Sequence, residues 1–271
     1  MMRPPSPAAS GGSVTYWQFD LLALALPVGL LLPGQRRWHF VVGPTAALVA
    51  VALVWTGPWD EHLIRAGVWS YGPARVLVLV GSVPVEEYVF VALEVVLLAA
   101  WGVRTGRLPS RTVGPPARTS RLRRWLPWAV LTLLGAVLAA SGGQVRYLGL
   151  LLLWAGPPLA LQNAIAGDLL QSRCWDRWVI AAPVVLWLCV ADRLAMTNGI
   201  WSISPAATTG VRVLGLPVEE ALFFALTALL ATNGLLLATD ATALSRVAQV
   251  LSGGAGRHRH PRTKSPLARS G

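Results

Sequence analysis

Two pairs of adjacent glutamates are the residues of this chain best suited to acid–base chemistry. The tetrapeptide Pro-Val-Glu-Glu occurs at Pro84–Glu87 and again at Pro217–Glu220, and a long apolar run follows each copy. Two neighbouring carboxyl groups in a poorly solvated place cannot both ionise easily, so one of each pair is expected to stay protonated near neutral pH. Such a group can give a proton to a substrate, and a nearby carboxylate can stabilise positive charge or take a proton back. The candidate catalytic glutamates are Glu86, Glu87, Glu219 and Glu220.

The position of each pair also has a purely structural interpretation. A proline at the first helical position and acidic residues in the first turn are common at helix starts. This explains one glutamate better than two, and it does not predict the same pair in a second, otherwise diverged half of the chain. The duplication therefore favours a functional role.

An aspartate precedes each glutamate pair, and aromatic residues accompany both. Asp60 and Asp192 are each followed within ten residues by a tryptophan, Trp69 or Trp201. Each aspartate is either a helix cap near the membrane interface or a catalytic partner that orients or reprotonates the glutamates. The tryptophans either form an interfacial belt or line an apolar cavity and stabilise a cation through their ring faces. The candidate substrate-binding residues are Trp55, Trp69, Phe90, Trp187, Trp201, Phe223 and Phe224.

The composition indicates a polytopic membrane protein. Of 271 residues, 54% are hydrophobic and only 13% are charged, with a mean hydropathy of +0.55, whereas soluble domains carry about 25% charged residues. The net charge of +11 lies in loops and in the C-terminal tail, which is typical of membrane topology and does not indicate a nucleic-acid partner. If the N-terminus is outside, 17 basic residues face the cytoplasm and six face outward. This charge asymmetry predicts an outside N-terminus and a cytoplasmic C-terminus in the cell membrane.

Apolar stretches near the length of a membrane span predict an all-α fold of about seven helices. The third and seventh stretches are longer than a bilayer needs, and Pro84 and Pro217 interrupt them, so each is expected to begin with a short broken or re-entrant piece. The predicted stretches are Tyr16–Leu32, Trp38–Thr56, Ala74–Trp101, Trp125–Ala140, Val145–Ala166, Trp178–Ala195 and Arg212–Ala238.

An internal repeat relates the two halves of the chain. Asp60 and Trp69 recur 132 residues later, and Pro84 and Phe90 recur 133 residues later. Helices one to three thus match helices five to seven, with helix four as a linker, so both repeats enter the membrane in the same direction. Such parallel repeats are related by an axis along the membrane normal, which lets both glutamate pairs face one central cleft.

The repeat predicts a division of the chain into five segments. Two three-helix repeats, 16–103 and 144–239, carry the motifs. Between them, 104–143 comprises a basic cytoplasmic linker and the linker helix. The tails, 1–15 and 240–271, are expected to be disordered, and the second is basic.

Several kinds of chemistry lack support in the sequence. The two cysteines have no metal-ligand spacing, and the four histidines are scattered, so no metal site is expected. There is no Gly-rich nucleotide or phosphate loop, and no Gly-x-Ser-x-Gly or His-Glu-x-x-His motif. We therefore expect no cofactor and no redox step.

The duplicated Pro-x-Glu-Glu with a following phenylalanine, preceded by a Trp…Asp…Trp segment, resembles the membrane carotenoid cyclases of the heterodimeric or fused type. These are the lycopene cyclases of actinobacteria, archaea and fungi, and the resemblance runs from about residue 16 to 239. The first copy departs from the usual aromatic pattern, because Val89 and Val91 flank Phe90. The resemblance attaches to Pro84, Glu86, Glu87, Phe90, Pro217, Glu219, Glu220, Phe223 and Phe224, and more loosely to Asp60, Trp69, Asp192 and Trp201.

This resemblance implies a redox-neutral cyclisation of a linear polyene end to an ionone-type ring. It implies a lipid-soluble carotenoid substrate taken from the membrane and no cofactor. Candidate protein partners are other carotenoid-pathway enzymes or a second copy of the chain.

Two other functions fit parts of the pattern. A small transporter with three-plus-one-plus-three helices would share the parallel repeat, but its cavity would need more neutral hydrogen-bonding groups than the tryptophans and phenylalanines supply. A carotenoid hydratase would use the same protonation step and add water to the cation instead of closing a ring.

Overall fold

The computed structural model describes residues 14–109 and 123–252, and they are mostly helical. The predicted first helix is continuous but changes pitch, because a π-helical turn at Leu21–Ala25 joins α1 to α2. Short 3-10 turns occur at Trp38–Phe40 and Gly143–Val145. The α-helices are α1 (Tyr16–Asp20), α2 (Leu26–Leu31), α3 (Val42–Arg65), α4 (Val85–Arg104), α5 (Leu126–Ser141), α6 (Arg146–Ser172), α7 (Cys174–Thr197), α8 (Val218–Ala238) and α9 (Ala241–Leu251). The strands are β1 (Trp69–Tyr71), β2 (Leu79–Val80), β3 (Val83–Pro84), β4 (Trp201–Ile203), β5 (Arg212–Val213) and β6 (Leu216–Pro217).

Four helical segments of the described residues are long and apolar enough to cross a membrane. They are Val42–Arg65, Gly143–Ser172, Cys174–Thr197 and Val218–Ala238. Two further apolar helices, Tyr16–Leu31 and Leu126–Ser141, are shorter. The remaining predicted span corresponds to α4, whose 20 residues include three glutamates and an arginine.

The segments before Pro84 and Pro217 are β-hairpins, so the predicted stretches Ala74–Trp101 and Arg212–Ala238 are broken before those prolines and become helical only at Val85 and Val218. Strands β2 and β3 pair before α4, and β5 and β6 pair before α8. Each proline is extended (φ −60°, ψ 145° and φ −56°, ψ 138°) and caps the helix that follows. Positive φ values at Gly81 (68°) and Gly215 (85°) make the tight turns. Both glutamate pairs therefore occupy the first turn of a helix.

The chain beyond residue 239 is ordered further than predicted. A disordered tail was expected from residue 240, but Ala241–Leu251 forms α9. The side chain of Asp240 accepts hydrogen bonds from the backbone N–H groups of Thr242 and Ala243, which caps the helix start. Arg246 then binds Asp168 of α6 through both carboxylate oxygens, at 2.7 and 2.9 Å. These bonds hold α9 against the end of α6. The predicted tails at 1–13 and 253–271, and most of the predicted linker (110–122), lie outside the described residues.

Matching segments of the two halves make matching contacts. Strands β1 and β4 pair antiparallel, and Ser70 lies opposite Ser202 with their hydroxyls 2.9 Å apart. The backbone N–H of Tyr16 donates to the carbonyl of Arg75 at 2.9 Å. At equivalent places in the second half, the N–H of Tyr147 donates to the carbonyl of Ala207 at 3.0 Å. These contacts bring α1, α4, α6 and α8 around a buried aromatic core beneath the β1–β4 pair.

Candidate active site

The two glutamates of each pair have different surroundings. Consecutive helical residues point about 100° apart, so adjacent carboxyl groups leave the helix in different directions. Glu86 is fully buried, and its Oε1 accepts the backbone N–H of Leu77 at 2.7 Å. Glu219 is also fully buried, and its Oε1 accepts the N–H of Thr209 at 2.6 Å. The first glutamate of each pair thus links the start of its helix, by a hydrogen bond, to the segment before the hairpin.

The second glutamates, Glu87 and Glu220, line one central pocket of about 30 Å³. The hydroxyls of Tyr16 and Tyr71 both donate to Glu87 Oε2, each at 2.8 Å. Glu220 is buried among aromatic rings, and the Tyr147 hydroxyl lies close to its carboxyl group, but no hydrogen bond of good geometry reaches its Oε1 among residues 14–109 and 123–252. The two halves therefore supply one well-bonded and one poorly bonded carboxyl group to the same pocket.

The two repeated aspartates lie differently with respect to this pocket. Asp192 lines it, and the indole Nε1 of Trp201 donates to Asp192 Oδ1 at 2.6 Å. Asp60 is equally buried but is not among the pocket-lining residues. Within the described part of the chain, Asp60 Oδ1 has no hydrogen-bond partner, and the Nε1 of Trp69 lies close to the Tyr147 hydroxyl without a hydrogen bond of good geometry. Asp192 thus lines the pocket directly, whereas Asp60 lies behind its wall, still close enough to Glu87 for the two carboxyl groups to interact electrostatically.

The environment of Tyr71 keeps its hydroxyl protonated, so that it can donate a hydrogen bond. It lies in β1, outside the helices, and its hydroxyl reaches Glu87. Burial raises the pKa of Tyr71 well above its ordinary value, and the neighbouring Glu87 carboxylate raises it further. The neutral phenol therefore persists at any physiological pH and can donate to a carboxylate.

Aromatic rings form the rest of the pocket. Phe223 and Phe224 of α8 lie 5.2 Å apart between centroids, and Phe90 of α4 lies 6.2 Å from Phe224. The Trp69 ring meets Phe223 edge-on at 5.7 Å. With Trp201, five of the seven predicted aromatic residues line the pocket. Their faces can stabilise a cation where water is scarce.

The other two predicted aromatic residues, Trp55 and Trp187, do not line this pocket. Their side chains are 44% and 46% exposed, on α3 and α7. Trp55 lines a lateral cavity of about 360 Å³, and Trp187 lines a second one of about 280 Å³. The indole of Trp187 also donates to the carbonyl of Ala23 at 2.7 Å. Both tryptophans therefore line apolar cavities outside the central pocket, and their role in substrate binding stays a prediction.

Sequence reasoning missed three tyrosines and the partner of Glu94. Tyr16 and Tyr71 hold Glu87, and Tyr147 is fully buried with its ring 6.0 Å from that of Trp69. A signal for two of them existed, because Tyr16 and Tyr147 are 131 residues apart and so belong to the repeat. Glu94 accepts a hydrogen bond from Thr227 at 2.7 Å. Within the described ranges, no group of three His, Cys, Asp or Glu side chains is arranged to hold a metal ion.

Comparisons with known proteins place the chain in a family. The profile of the lycopene cyclase family matches residues 13–101 and 146–236, which are the two halves that carry the motifs. The chain is 42% identical over 239 residues to a lycopene beta-cyclase of Halobacterium salinarum, covering 83% of this chain and 96% of that protein. It is 32% identical over 240 residues to a bifunctional lycopene cyclase/phytoene synthase of Arthroderma gypseum, covering 81% of this chain and 40% of that protein. No solved structure matches significantly. Both the residues matched and the extent of the similarity show that this chain belongs to the lycopene cyclase family.

Proposed function

We propose that this protein cyclises the linear end of lycopene, or of a related carotenoid, by acid–base catalysis without net redox change. The observation that carries the proposal is that Glu87 and Glu220, from the two halves, line one buried aromatic pocket. A proton is added to the terminal double bond of the polyene, which leaves a tertiary cation. The next double bond along the chain, two methylene groups away, attacks this cation and closes a six-membered ring, and a proton is then lost from the ring. Family membership and the lycopene beta-cyclase relative support this reaction.

Glu220 is the better candidate for the acid and Glu87 for the base. Two hydroxyl donors, Tyr16 and Tyr71, favour the ionised form of Glu87. Glu220 lies among aromatic rings and is approached by one tyrosine hydroxyl, that of Tyr147, where Glu87 has two well-formed bonds, and such a less polar site favours the neutral acid. Glu220 therefore gives the proton, and Glu87 receives the one that the ring loses. Return of that proton within the pocket, past Asp192, restores both groups, so no outside proton is consumed.

Glu86 and Glu219 act as positioning residues in this proposal. Each accepts a backbone N–H from the segment before its hairpin. This contact fixes the start of α4 or α8, and with it the direction of the next residue, Glu87 or Glu220. In each half, the first glutamate thus positions the helix start and the second transfers a proton.

The ring formed is proposed to be of the β type. This follows from the name of the Halobacterium relative, a lycopene beta-cyclase that aligns over 96% of its own length. A β ring forms when the departing proton leaves the new double bond conjugated with the polyene. The position of the base relative to the ring carbons sets this outcome.

The proposed setting is a cell membrane crossed seven times, with the N-terminus outside and the C-terminus in the cytoplasm. The first span would be the continuous α1–α2 helix, and the others α3 to α8. What supports two parallel repeats is that Ser70 contacts its own repeat equivalent Ser202, and Glu94 contacts its equivalent Thr227. What supports the orientation is the distribution of basic residues, 17 against six. A carotenoid would then enter from the lipid, and no nucleic acid or cofactor is required.

The test is pigment analysis in a bacterial host that accumulates lycopene. Expression of the wild-type chain should convert lycopene to a product of unchanged mass with cyclic end groups. Glu87→Gln and Glu220→Gln should lower the yield by about 10²-fold or more, since each removes one proton-transfer group. Glu86→Gln is the control, because its amide oxygen can still accept the Leu77 N–H. Unaltered lycopene, with wild-type protein confirmed in the membrane, would contradict the proposal, and a gain of the mass of water would indicate a hydratase.

A further inference from the structure

The central pocket is too small to hold a carotenoid, but a larger cavity adjoins it. At about 30 Å³, the central pocket has room for about two water molecules. The lateral cavity between α3, α4, α6 and α8 has a volume of about 360 Å³ and is lined mainly by apolar side chains. Small-molecule sites typically measure about 300–1,000 Å³ and are mostly apolar. The lateral cavity therefore has the size and lining of a site for part of a hydrophobic ligand.

The lateral cavity extends from the outer surface of the helices toward the acids. At its outer end, Val51 and Leu161 are each 61% exposed, and Trp55 is 44% exposed. At its inner end lies Phe223, which also lines the central pocket beside Glu220. One ring thus separates the cavity from the proposed acid. In a membrane the outer end would open to lipid, which is where a carotenoid dissolves.

The wall next to Phe223 consists of flat aromatic rings. The rings of Trp59 and Trp154 stack at 4.7 Å with an interplanar angle of 23°, and Trp59 and Phe223 stack at 5.9 Å and 13°. Trp154 and Phe223 both line the cavity, and Trp59 is buried. Such a wall matches the flat face of a conjugated polyene. It also brings aromatic faces close to the point where the cation forms.

We propose that the lateral cavity between α3, α4, α6 and α8 binds the linear polyene chain of the carotenoid, while its end group passes Phe223 to reach Glu220. This proposal rests on the proposed cyclase function. It makes Trp154 and Phe223 positioning residues that select the substrate and orient its end group. A rotation of the Phe223 ring would join the two spaces.

The experiment uses substitutions that narrow the mouth of this cavity. Their effect on cyclisation is compared with that of similar substitutions in the second lateral cavity. Val51→Trp and Leu161→Trp place larger side chains at exposed positions of the proposed entry, so folding should be retained. The matched controls are Val190→Trp and Leu194→Trp, which line the second cavity and are 58% and 57% exposed. Cyclisation is measured in liposomes with lycopene and with a truncated polyene that keeps one acyclic end. The entry variants should lower kcat/KM for lycopene about tenfold or more, chiefly through KM, since a pocket discriminates strongly against misfit.

The truncated substrate distinguishes a blocked polyene site from general damage. In Val51→Trp and Leu161→Trp, kcat/KM should fall less for the truncated substrate than for lycopene, because less of the truncated substrate occupies the cavity. The two controls should stay close to the wild type with both substrates. An equal loss of kcat/KM in the control variants, or no loss in the entry variants, would overturn the assignment of the cavity. In either case an active wild-type enzyme would still support the cyclase function.

Discussion

The hydroxyl of Thr227 donates a 2.7 Å hydrogen bond to Oε1 of Glu94, although the two residues occupy the same position in the two repeats. In the proposed pair of parallel repeats, side chains at equivalent positions can meet only near the axis that relates the two halves. Ser70 and Ser202 meet in the same way in the β1–β4 pair. Since Glu94 faces a threonine and not a second glutamate, the chain avoids two like carboxyl groups at this point. An equal pair there would repel once ionised.

We expect the Glu94–Thr227 contact to stabilise the fold. Thr227→Val removes the only side-chain donor recorded for Glu94 in the described residues, so it should lower the free energy of unfolding by about 1–3 kcal/mol. Glu94→Gln should cost less, because an amide oxygen also accepts the hydroxyl. Thermal unfolding in detergent, for both single variants and for the double variant Glu94→Leu with Thr227→Val, measures the effect. A double variant no more stable than Thr227→Val would contradict this explanation.

The first glutamate of each pair is predicted to affect stability more than chemistry. Glu86→Ala leaves the N–H of Leu77 without its acceptor and should destabilise the protein by about 1–3 kcal/mol. Glu219→Ala should do the same through Thr209. The glutamine variants at both positions should keep near-normal stability and most of the activity. Unfolding temperature and product yield are measured together. If the Glu86→Gln protein is stable but no longer cyclises the substrate, Glu86 takes part in proton transfer.

The tyrosine hydroxyls on Glu87 are predicted to matter for rate. Tyr71→Phe removes one of the two donors to Glu87 and should lower kcat by about tenfold, because hydrogen bonds to a carboxylate are worth roughly 1.5–3 kcal/mol. Tyr16→Phe removes the other and should have a similar effect. Tyr88→Phe, on the same helix as Glu87 but with its ring beside Gly57, is the matched control. Equal rates for Tyr71→Phe and Tyr88→Phe would show that the hydroxyl of Tyr71 plays no part.

The two repeated tryptophans are predicted to respond differently to the same change. Trp201→Phe removes the indole N–H that binds Asp192 at 2.6 Å, and activity should fall by about tenfold or more. The Trp69 N–H lies close to the Tyr147 hydroxyl but makes no hydrogen bond of good geometry among the described residues, so Trp69→Phe should have a smaller effect. Steady-state cyclisation rates of the two purified variants give the comparison. A larger loss for Trp69→Phe would mean that ring size in the pocket matters more than the bond to Asp192.

Much of the architecture was predictable because it depends on local patterns. Long apolar runs predicted where the long helices lie, since spanning a membrane requires a minimum length of apolar chain. Their bounds were less predictable, because α3 continues to Arg65, beyond the predicted end at Thr56, and α4 begins only at Val85. The recurrence of Glu87 at Glu220 predicted that two halves supply one acidic site. The hairpins before Pro84 and Pro217 were missed because apolar β-strands two residues long have the same hydropathy as the start of a membrane helix.

The sequence by itself determined which groups could perform the chemistry, and the tertiary structure decided which of them meet. Adjacent residues leave a helix in different directions, so Glu86 points to Leu77 whereas Glu87 points into the pocket. The order of the residues in the sequence does not show which glutamate takes which direction. Tyr16 reaches Glu87 across 71 residues of chain, and Trp55 faces a lateral cavity although it lies five residues before Asp60. Such contacts depend on how helices pack, because each helix presents a different residue to each neighbour.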